Sequence, residues 1–197
     1  MTVEVVRAFV ALPISEVTRT RLARVQQDLQ GACPVGVRWT RASGIHLTLF
    51  FLGDVPTSRL EPIETALAVV ARNASPLVLQ VQGLGCFPNL QRPRVVWVGL
   101  EERTGRLALT HQAVNEALAQ VGFEPETRPF KPHLTLGRVQ RGASRDVAAQ
   151  LGQAVARRAE RGLTLGEETV TDLVLFRSVL KPTGAEYSRL ATFTLGQ

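Results

Sequence analysis

The feature that most constrains this chain is a four-residue sequence that occurs twice. His-Leu-Thr-Leu stands at residues 46–49 and again at residues 133–136, almost half of the 197-residue chain apart. The chain has only three histidines, so two of them sharing this context by accident is improbable. The repeat predicts two similar halves that each supply one such element to a common structure.

The repeated element reads as a strand with a polar and an apolar face. Side chains alternate between the faces of a strand, so His46 and Thr48 point one way while the leucines point the other. The same alternation holds for His133 and Thr135. If a pseudo-twofold relates the halves, two such strands face each other across a cleft lined by imidazoles and hydroxyls.

The order of strands and helices favours an α+β fold. Four helices are predicted, beginning near Ser15, Thr57 or Ser58, Thr104 and Ser144. Strands are predicted at residues 5–12, 37–40, 45–52, 77–82, 95–100, 133–139 and within 163–195, with a turn at 181–184. Neighbouring strands are often joined without a helix, which favours antiparallel sheet over a doubly wound parallel sheet. Nothing marks a boundary, so residues 1–197 are predicted to form one domain.

The charge of the chain is compatible with an anionic partner. The net charge is +6, and the basic residues are almost all arginine, with Lys131 and Lys181 as the exceptions. Arginine suits phosphate, although genome composition or growth temperature explains the bias equally well. No apolar run could cross a bilayer, and the start, with an acid at position 4, reads as a strand rather than a signal peptide. We therefore expect a cytoplasmic protein without membrane contact.

Several common sites lack their sequence signatures. Cys33 and Cys86 have no metal-site or disulfide spacing, and three histidines are too few for a histidine-rich metal site. The Gly-rich nucleotide motifs and the serine-hydrolase motif are missing from the sequence. We therefore predict no metal and no cofactor. His111 lies at the edge of a helical apolar stripe and is predicted to be structural.

The duplicated pair suits phosphoryl transfer without a metal. Attack at phosphorus is in line, so one group deprotonates the incoming oxygen while another protonates the leaving oxygen on the far side. Histidine titrates near neutrality and can fill either role. Hydroxyls such as those of Thr48 and Thr135 can hydrogen-bond the phosphate oxygens between the imidazoles.

At this point the sequence resembles the two-histidine phosphoesterase superfamily, and more narrowly the bacterial and archaeal RNA 2′,3′-cyclic phosphodiesterases, once called 2′-5′ RNA ligases. The resemblance runs nearly end to end, and residues 46–53 and 128–136 fit its two motifs closely. It implies a bilobal α+β fold with pseudo-twofold symmetry, in which two antiparallel β-sheets backed by helices surround a central cleft.

The resemblance also implies the reaction and the roles. A terminal 2′,3′-cyclic phosphate opens to a 2′-phosphomonoester, with His46 as general acid towards the 3′ oxygen and His133 as general base towards water. The quasi-symmetry leaves these two roles open from sequence alone. With an RNA 5′-hydroxyl in place of water, the resemblance implies reverse 2′-5′ RNA ligation. The partner is RNA with a 2′,3′-cyclic phosphate terminus, and a monomer is expected because both motifs lie in one chain.

Further candidates for RNA binding lie near the motifs. Phe51 and Arg138 each stand five residues after a motif histidine, where an aromatic ring and a guanidinium could stack on a terminal base. Simple alternation puts both on the opposite face, so they qualify only if the strands twist or bulge near Gly53 and Gly137, and Phe51 fits a core position equally well. Lys131 and Arg128 add positive charge near the second motif or belong to the ordinary surface.

Two alternatives stay open at this stage. One is a related phosphoesterase for small cyclic nucleotides or an ADP-ribose cyclic phosphate, because loops would supply the contacts that separate these substrates. The other is an RNA-binding protein that recognises phosphate ends without turning them over. The presence of both histidines counts against the second alternative.

Overall fold

The architecture is a mixed α+β fold. The structure is a computed structural model that describes residues 4–33, 35–182 and 184–196. Within those ranges the four helices are α1 Glu16–Ala32, α2 Leu60–Asn73, α3 Arg106–Gln120 and α4 Arg145–Glu160. The described residues also form nine strands, β1 Val5–Pro13, β2 Val37–Trp39, β3 His46–Pro56, β4 Leu77–Phe87, β5 Val95–Glu101, β6 His133–Val139, β7 Thr164–Val170, β8 Asp172–Lys181 and β9 Gly184–Thr194. The predicted α+β class is confirmed.

The strands form two antiparallel halves that meet at the repeated motif. Their order is β7-β4-β5-β6 followed by β3-β1-β8-β9, and β2 pairs with β6 outside this path. The halves are joined by one pair, Leu47 with Leu134. Beyond that pair, β2 takes the edge of β6 from Val37 to Trp39. The two sheets predicted from the sequence are therefore continuous, through the two motif strands.

The helices cross between the halves in a symmetric manner. Helix α1 follows β1 but packs against α4 and β7, and helix α3 follows β5 but packs against α2 and β3. Helices α2 and α4 pack on the sheet half that contains the strand before them, through β8 and β9 and through β4 respectively. The expected pseudo-twofold thus appears as an exchange of one helix between the halves.

A continuous apolar core lies between the sheet and the helices. Its fully buried side chains include Leu12, Leu22, Leu67, Leu118 and Leu134, each from a different element. Burial of this kind removes apolar surface from water and holds the strands in register. No helix among the described residues is long and apolar enough to span a membrane.

Helix starts follow the sequence in two cases and depart from it in two. The predicted start of α2 at Thr57 or Ser58 is wrong, because residues 57–59 form a 3₁₀ turn and α2 begins at Leu60 without a side-chain cap. The hydroxyls of Ser15 and Ser144 cap α1 and α4, as predicted, by accepting from Thr18 N and Val147 N. The predicted cap at Thr104 is wrong, because α3 begins after Gly105. The Glu102 carboxylate accepts instead from Leu107 N at 3.2 Å and from Thr104.

Two predicted strand ends are also corrected. Strand β3 continues past Gly53 to Pro56, because Gly53 adopts φ 73°, which a glycine tolerates without ending the strand. Strand β4 includes residues 83–87, beyond the predicted strand end at residue 82. Of the predicted turn at 181–184, Thr183 lies outside the described residues.

Candidate active site

The two repeated elements lie side by side at the junction of the sheet halves, as neighbouring strands and not face to face across a cleft as predicted. Leu47 and Leu134 form the joining pair and are both buried. Continuing this antiparallel register by one residue in each direction sets His46 across from Thr135 and Thr48 across from His133. The predicted four side chains are therefore brought together in a crosswise arrangement, each histidine next to the threonine of the other half.

Each imidazole is oriented by a backbone carbonyl two residues earlier. The Nδ1 of His46 lies 2.8 Å from the Gly44 carbonyl oxygen, and the Nδ1 of His133 lies 2.7 Å from the Lys131 carbonyl oxygen. A carbonyl only accepts, so each Nδ1 donates its proton. The neutral ring then keeps the lone pair on Nε2, which is the atom available for proton transfer.

His46 is enclosed by aromatic rings. The Phe9 ring stacks on the imidazole with centroids 4.6 Å apart, and Phe176 stacks at 5.9 Å. Tyr187 presents its edge at 5.1 Å. These rings fix the plane of His46 and leave it half-buried at the wall of the cleft. His133 contacts one ring, Phe87, edge to face at 4.9 Å.

This enclosure changes the proton affinity of His46. Burial lowers the pKa of His46 to about 4, although the hydrogen bond to Gly44 opposes the shift, and the charges of Arg138 and His133 lower it further. Burial also lowers the pKa of His133, opposed by its bond to Lys131 and assisted by Arg138. In the free cleft, both imidazoles are therefore shifted towards the neutral form.

Matching bulges bring Phe51 and Arg138 to the cleft. In β3 the pairing with β1 passes from Thr48 to Phe50 across one step, so Leu49 is an extra residue. In β6 the pairing with β5 passes from Thr135 to Gly137, which makes Leu136 extra. Each bulge shifts the alternation of side chains between the two faces of the strand by one residue. Phe51 and Arg138, five residues after the histidines, therefore point to the same face as the histidines. Phe51 is 65% exposed and is not a core residue.

Gln26 of helix α1 secures the bulge in β6. Its buried amide donates to the carbonyl oxygens of Leu136 at 2.8 Å and Thr40 at 2.7 Å. A side chain on Gly137 would meet the Trp39 ring at 2.9 Å, so glycine lets β2 approach closely here. The amide of Gln26 thus hydrogen-bonds the backbone carbonyls at the bulge that directs Arg138 into the cleft. The spacing of residues in the sequence did not reveal this role.

Two compartments flank the motif strands. The His46 compartment has a volume of about 410 Å³, and its lining includes His46, Arg7, Arg38, Arg41 and Tyr187. The His133 compartment has a volume of about 620 Å³, and its lining includes His133, Phe87, Glu126, Phe130 and Lys131. The side chains of Thr48, Phe51 and Arg138 line both, and Thr135 lines the first. The compartments therefore meet between the two histidines.

The charges near the second motif are partly neutralised. Arg128 donates to Glu126 through Nε at 2.9 Å and through Nη2 at 2.6 Å, so most of its charge is balanced. Lys131 is exposed in the His133 compartment, and its carbonyl orients His133. His111 stacks on Phe130 with centroids 3.9 Å apart, in agreement with a packing role.

The structure adds functional candidates that the sequence did not single out. Phe9 and Tyr187 hold His46, and Arg7 and Arg38 line its compartment. The sequence offered one signal for two of them: Arg7 and Phe9 are two residues apart on one strand, which places them on the same face. Tyr187 lies far along the chain, in a strand that reaches the cleft only through the β8–β9 hairpin.

Nothing among the described residues groups three or more His, Cys, Asp or Glu side chains in a way that could hold a metal ion. The two buried cysteines lie apart from the cleft lining. The arrangement offers proton transfer by imidazoles and hydrogen bonding by hydroxyls and a guanidinium.

Comparison with known families matches both halves separately. The LigT like phosphoesterase family matches residues 12–97 and, a second time, residues 98–187. Each match contains one copy of the repeated element. The RNA 2′,3′-cyclic phosphodiesterase of Methanothermobacter thermautotrophicus is 33% identical over 96% of this chain and 99% of its own. That of Archaeoglobus fulgidus is 35% identical over 95% of this chain and 99% of its own.

Solved structures share the fold. A protein of Thermus thermophilus has a TM-score of 0.79 and 29% identity, over 96% of this chain and 98% of its own. Escherichia coli LigT complexed with 3′-AMP has a TM-score of 0.71 and 24% identity, over 98% of this chain and 100% of its own. The helices and strands described above are therefore those of a known architecture.

Proposed function

This chain belongs to the LigT-like phosphoesterase family, and from that premise and the geometry of the cleft we propose that it opens terminal 2′,3′-cyclic phosphates of RNA to 2′-phosphomonoesters. One observation carries the proposal. Two imidazoles, each with Nδ1 held by a carbonyl, lie on adjoining strands and meet at one junction. Relatives named RNA 2′,3′-cyclic phosphodiesterase, similar over almost the whole chain, support the RNA substrate.

The reaction needs one proton taken and one proton given. Water attacks phosphorus from the His133 side and transfers its proton to Nε2 of His133. The bond between phosphorus and the 3′ oxygen breaks on the opposite side, and that oxygen takes a proton from His46. A cyclic diester and water thus become a 2′-phosphomonoester and a 3′-hydroxyl, and no charge is left on the leaving oxygen.

The acid role requires His46 to bind a proton together with the substrate. In the free cleft the pKa of His46, about 4, leaves its ring neutral at pH 7. A phosphate anion placed at the junction stabilises the imidazolium and raises that pKa. The Gly44 carbonyl acts in the same direction. We therefore assign the proton on His46 to the substrate complex.

The phosphate lies between the threonines, and the terminal base stacks at the edge. The hydroxyls of Thr48 and Thr135 and the guanidinium of Arg138 hydrogen-bond the non-bridging oxygens, where charge is concentrated during transfer. The exposed ring of Phe51 supplies a stacking surface. Lys131 adds positive charge at the rim.

Three further features belong to the proposal. The chemistry needs no metal, because the imidazoles perform both proton transfers and Arg138 balances the phosphate charge. A 5′-hydroxyl in place of water gives a 2′-5′ linkage at the same site. Residues 1–197 act as one bilobal domain and as a monomer, since one chain supplies both histidines.

The test uses an RNA oligonucleotide that ends in a 2′,3′-cyclic phosphate, in the presence of EDTA. The product is followed by ³¹P nuclear magnetic resonance for the wild type, His46→Ala and His133→Ala. His111→Ala is the matched control, because it removes a histidine that no step of the mechanism uses. We expect a 2′-phosphate from the wild type and the control, and a persistent cyclic phosphate from the other two.

Other results would change the proposal in defined ways. A strict requirement for added metal would contradict proton transfer by two imidazoles alone. A cyclic RNA phosphate that persists in every tube, together with turnover of a small cyclic nucleotide, would reassign the substrate class. RNA binding without turnover of any cyclic phosphate would reduce the chain to an end-binding protein.

A further inference from the structure

The two compartments differ in charge. The His46 compartment contains Arg7, Arg38 and Arg41, and of these Arg38 forms no ion pair within the described residues. The pairs of Arg7 with Asp54 and of Arg41 with Glu186 are long, at 3.8 and 3.6 Å, and exposed. Such pairs are weak and leave the cations available to phosphates. This side suits the sugar-phosphate chain of an RNA.

The His133 compartment is larger and closer to neutral. Glu124 and Glu126 lie in its lining, and Glu126 already binds Arg128. A hydrolytic water needs about 30 Å³, whereas this compartment measures about 620 Å³. Volumes of this size hold ligands as large as nucleosides. The side from which the nucleophile arrives therefore has room for much more than water.

An aromatic ring is held in place within that space. The Phe130 ring lines the compartment, and the His111 ring covers one of its faces at an interplanar angle of 8°. Asn115 donates from Nδ2 to His111, and its Oδ1 accepts from Glu126 N at 3.0 Å. The wall that contains Phe130 is thus tied to helix α3. A fixed ring of this kind is a platform on which a base stacks.

We propose that the His133 compartment binds the nucleoside of a second RNA strand that carries a free 5′-hydroxyl, with its base against Phe130. This inference rests on the proposed function and adds the position of the acceptor to it. The 5′ oxygen forms a bond to phosphorus and gives its proton to His133. The bond to the 3′ oxygen breaks, and that oxygen takes the proton of His46, so no water is consumed.

The experiment measures how one reaction divides between two products. A labelled RNA ending in a 2′,3′-cyclic phosphate is incubated with rising concentrations of a dinucleoside monophosphate that has a free 5′-hydroxyl. The ratio of 2′-5′-linked product to 2′-phosphate is read in the same tube. This ratio does not depend on how much of the enzyme is folded. We expect the initial rate of formation of the 2′-5′-linked product to approach a plateau as the acceptor concentration rises, because the acceptor occupies a site.

Variants at Phe130 locate that site. Loss of one base-stacking contact by Phe130→Ala should lower the ratio about tenfold at subsaturating acceptor, and Phe130→Trp should restore it. Methanol is the matched acceptor without a base, and its share of the product should not respond to Phe130→Ala. Trp39→Ala, in the His46 compartment, is the control variant and should weaken binding of the cyclic phosphate strand without changing the ratio.

The failures are distinguishable. Absence of all cleavage by the wild type overturns the proposed function and this inference with it. Cleavage with no transfer product, or with transfer that rises linearly and ignores Phe130→Ala, overturns this inference alone. A raised KM for the cyclic phosphate strand in Phe130→Ala, at an unchanged ratio, would place the first strand in the His133 compartment and would also overturn it.

Discussion

The two halves of this protein position the same pair of side chains but surround them differently. His46 and His133 share a strand position, a carbonyl partner for Nδ1 and a neighbouring threonine. His46 is packed among three aromatic rings, whereas His133 contacts one and borders the larger compartment. An acid and a base must differ in proton affinity. Duplication thus supplies the geometry, whereas packing lowers the pKa of His46, the proposed acid, so the bound phosphate must supply the difference in proton affinity.

The largest expected effect comes from removing either histidine. Each of His46→Ala and His133→Ala should lower kcat by about 10²–10⁴-fold, the usual value of general acid or base catalysis. The two variants are separated by a substrate with sulfur in place of the bridging 3′ oxygen. A thiolate leaves without a proton because thiols have a pKa near 8.5. The sulfur substrate should therefore restore His46→Ala but not His133→Ala, measured by single-turnover kinetics.

Other patterns of rescue have definite meanings. Rescue of His133→Ala alone would exchange the acid and base roles between the halves. Rescue of neither variant would mean that the lost contribution is not proton transfer to the leaving oxygen. The wild type, assayed with both substrates, supplies the reference ratio.

The second effect is the contribution of His46 to the pH dependence of stability. Its pKa is about 4 in the folded protein, against 6.5 for an unperturbed histidine. The unfolded chain therefore takes up this proton first as the pH falls. The stabilisation is complete above pH 6.5 and is lost as the pH falls towards 4, by about 3 kcal/mol. Urea unfolding of the wild type and His46→Gln at pH 7 and pH 4 measures this difference.

His133 supplies the comparison for that measurement. Its pKa is lowered in the same direction, and fewer rings enclose it, so His133→Gln should alter the pH dependence less. Titration of the ring signals by nuclear magnetic resonance gives both values directly. A His46 ring that titrates near 6.5 would contradict the enclosure described above.

Removing the charge of Arg138, which lies between the two halves, should have an intermediate effect on catalytic activity. Arg138 lines both compartments, and its charge lowers the pKa of both histidines. Arg138→Gln should lower kcat/KM by about 10–100-fold, because a hydrogen bond to a charged group contributes about 1.5–3 kcal/mol. It should also raise both histidine pKa values. Arg141→Gln is the matched control, since Arg141 is exposed and lines neither compartment.

Much of the fold was predictable because it follows local rules. Alternating apolar residues and serine caps located most helices and strands, and the repeat indicated two halves. The errors concern places where a competing hydrogen bond or strand pairing overrides the expected signal. At α3, the carboxylate of Glu102 replaces the expected cap at Thr104. At β3, pairing with β1 carries the strand past Gly53.

The spacing of the motif predicted which side chains share a face of the strand, but it could not predict the contacts that surround them. Alternation assigned His46 and Thr48 to one face, and the conditional expectation for Phe51 and Arg138 required a bulge. Whether a bulge forms depends on pairing with β1 and β5 and on contacts from α1, none of which spacing encodes. The aromatic enclosure of His46 likewise depends on strands from both ends of the chain.

The smallest expected effect tests whether the bulge in β6 acts through Arg138. Gln26→Met keeps the side-chain length but removes the donor to Leu136 and Thr40. Leaving buried carbonyls with fewer partners should lower the free energy of unfolding by about 1–3 kcal/mol and reduce kcat/KM several-fold. A purely structural loss would add to that of Arg138→Gln. If Gln26 positions Arg138, the double variant should be no less active than Arg138→Gln alone, which a double-mutant cycle on kcat/KM measures.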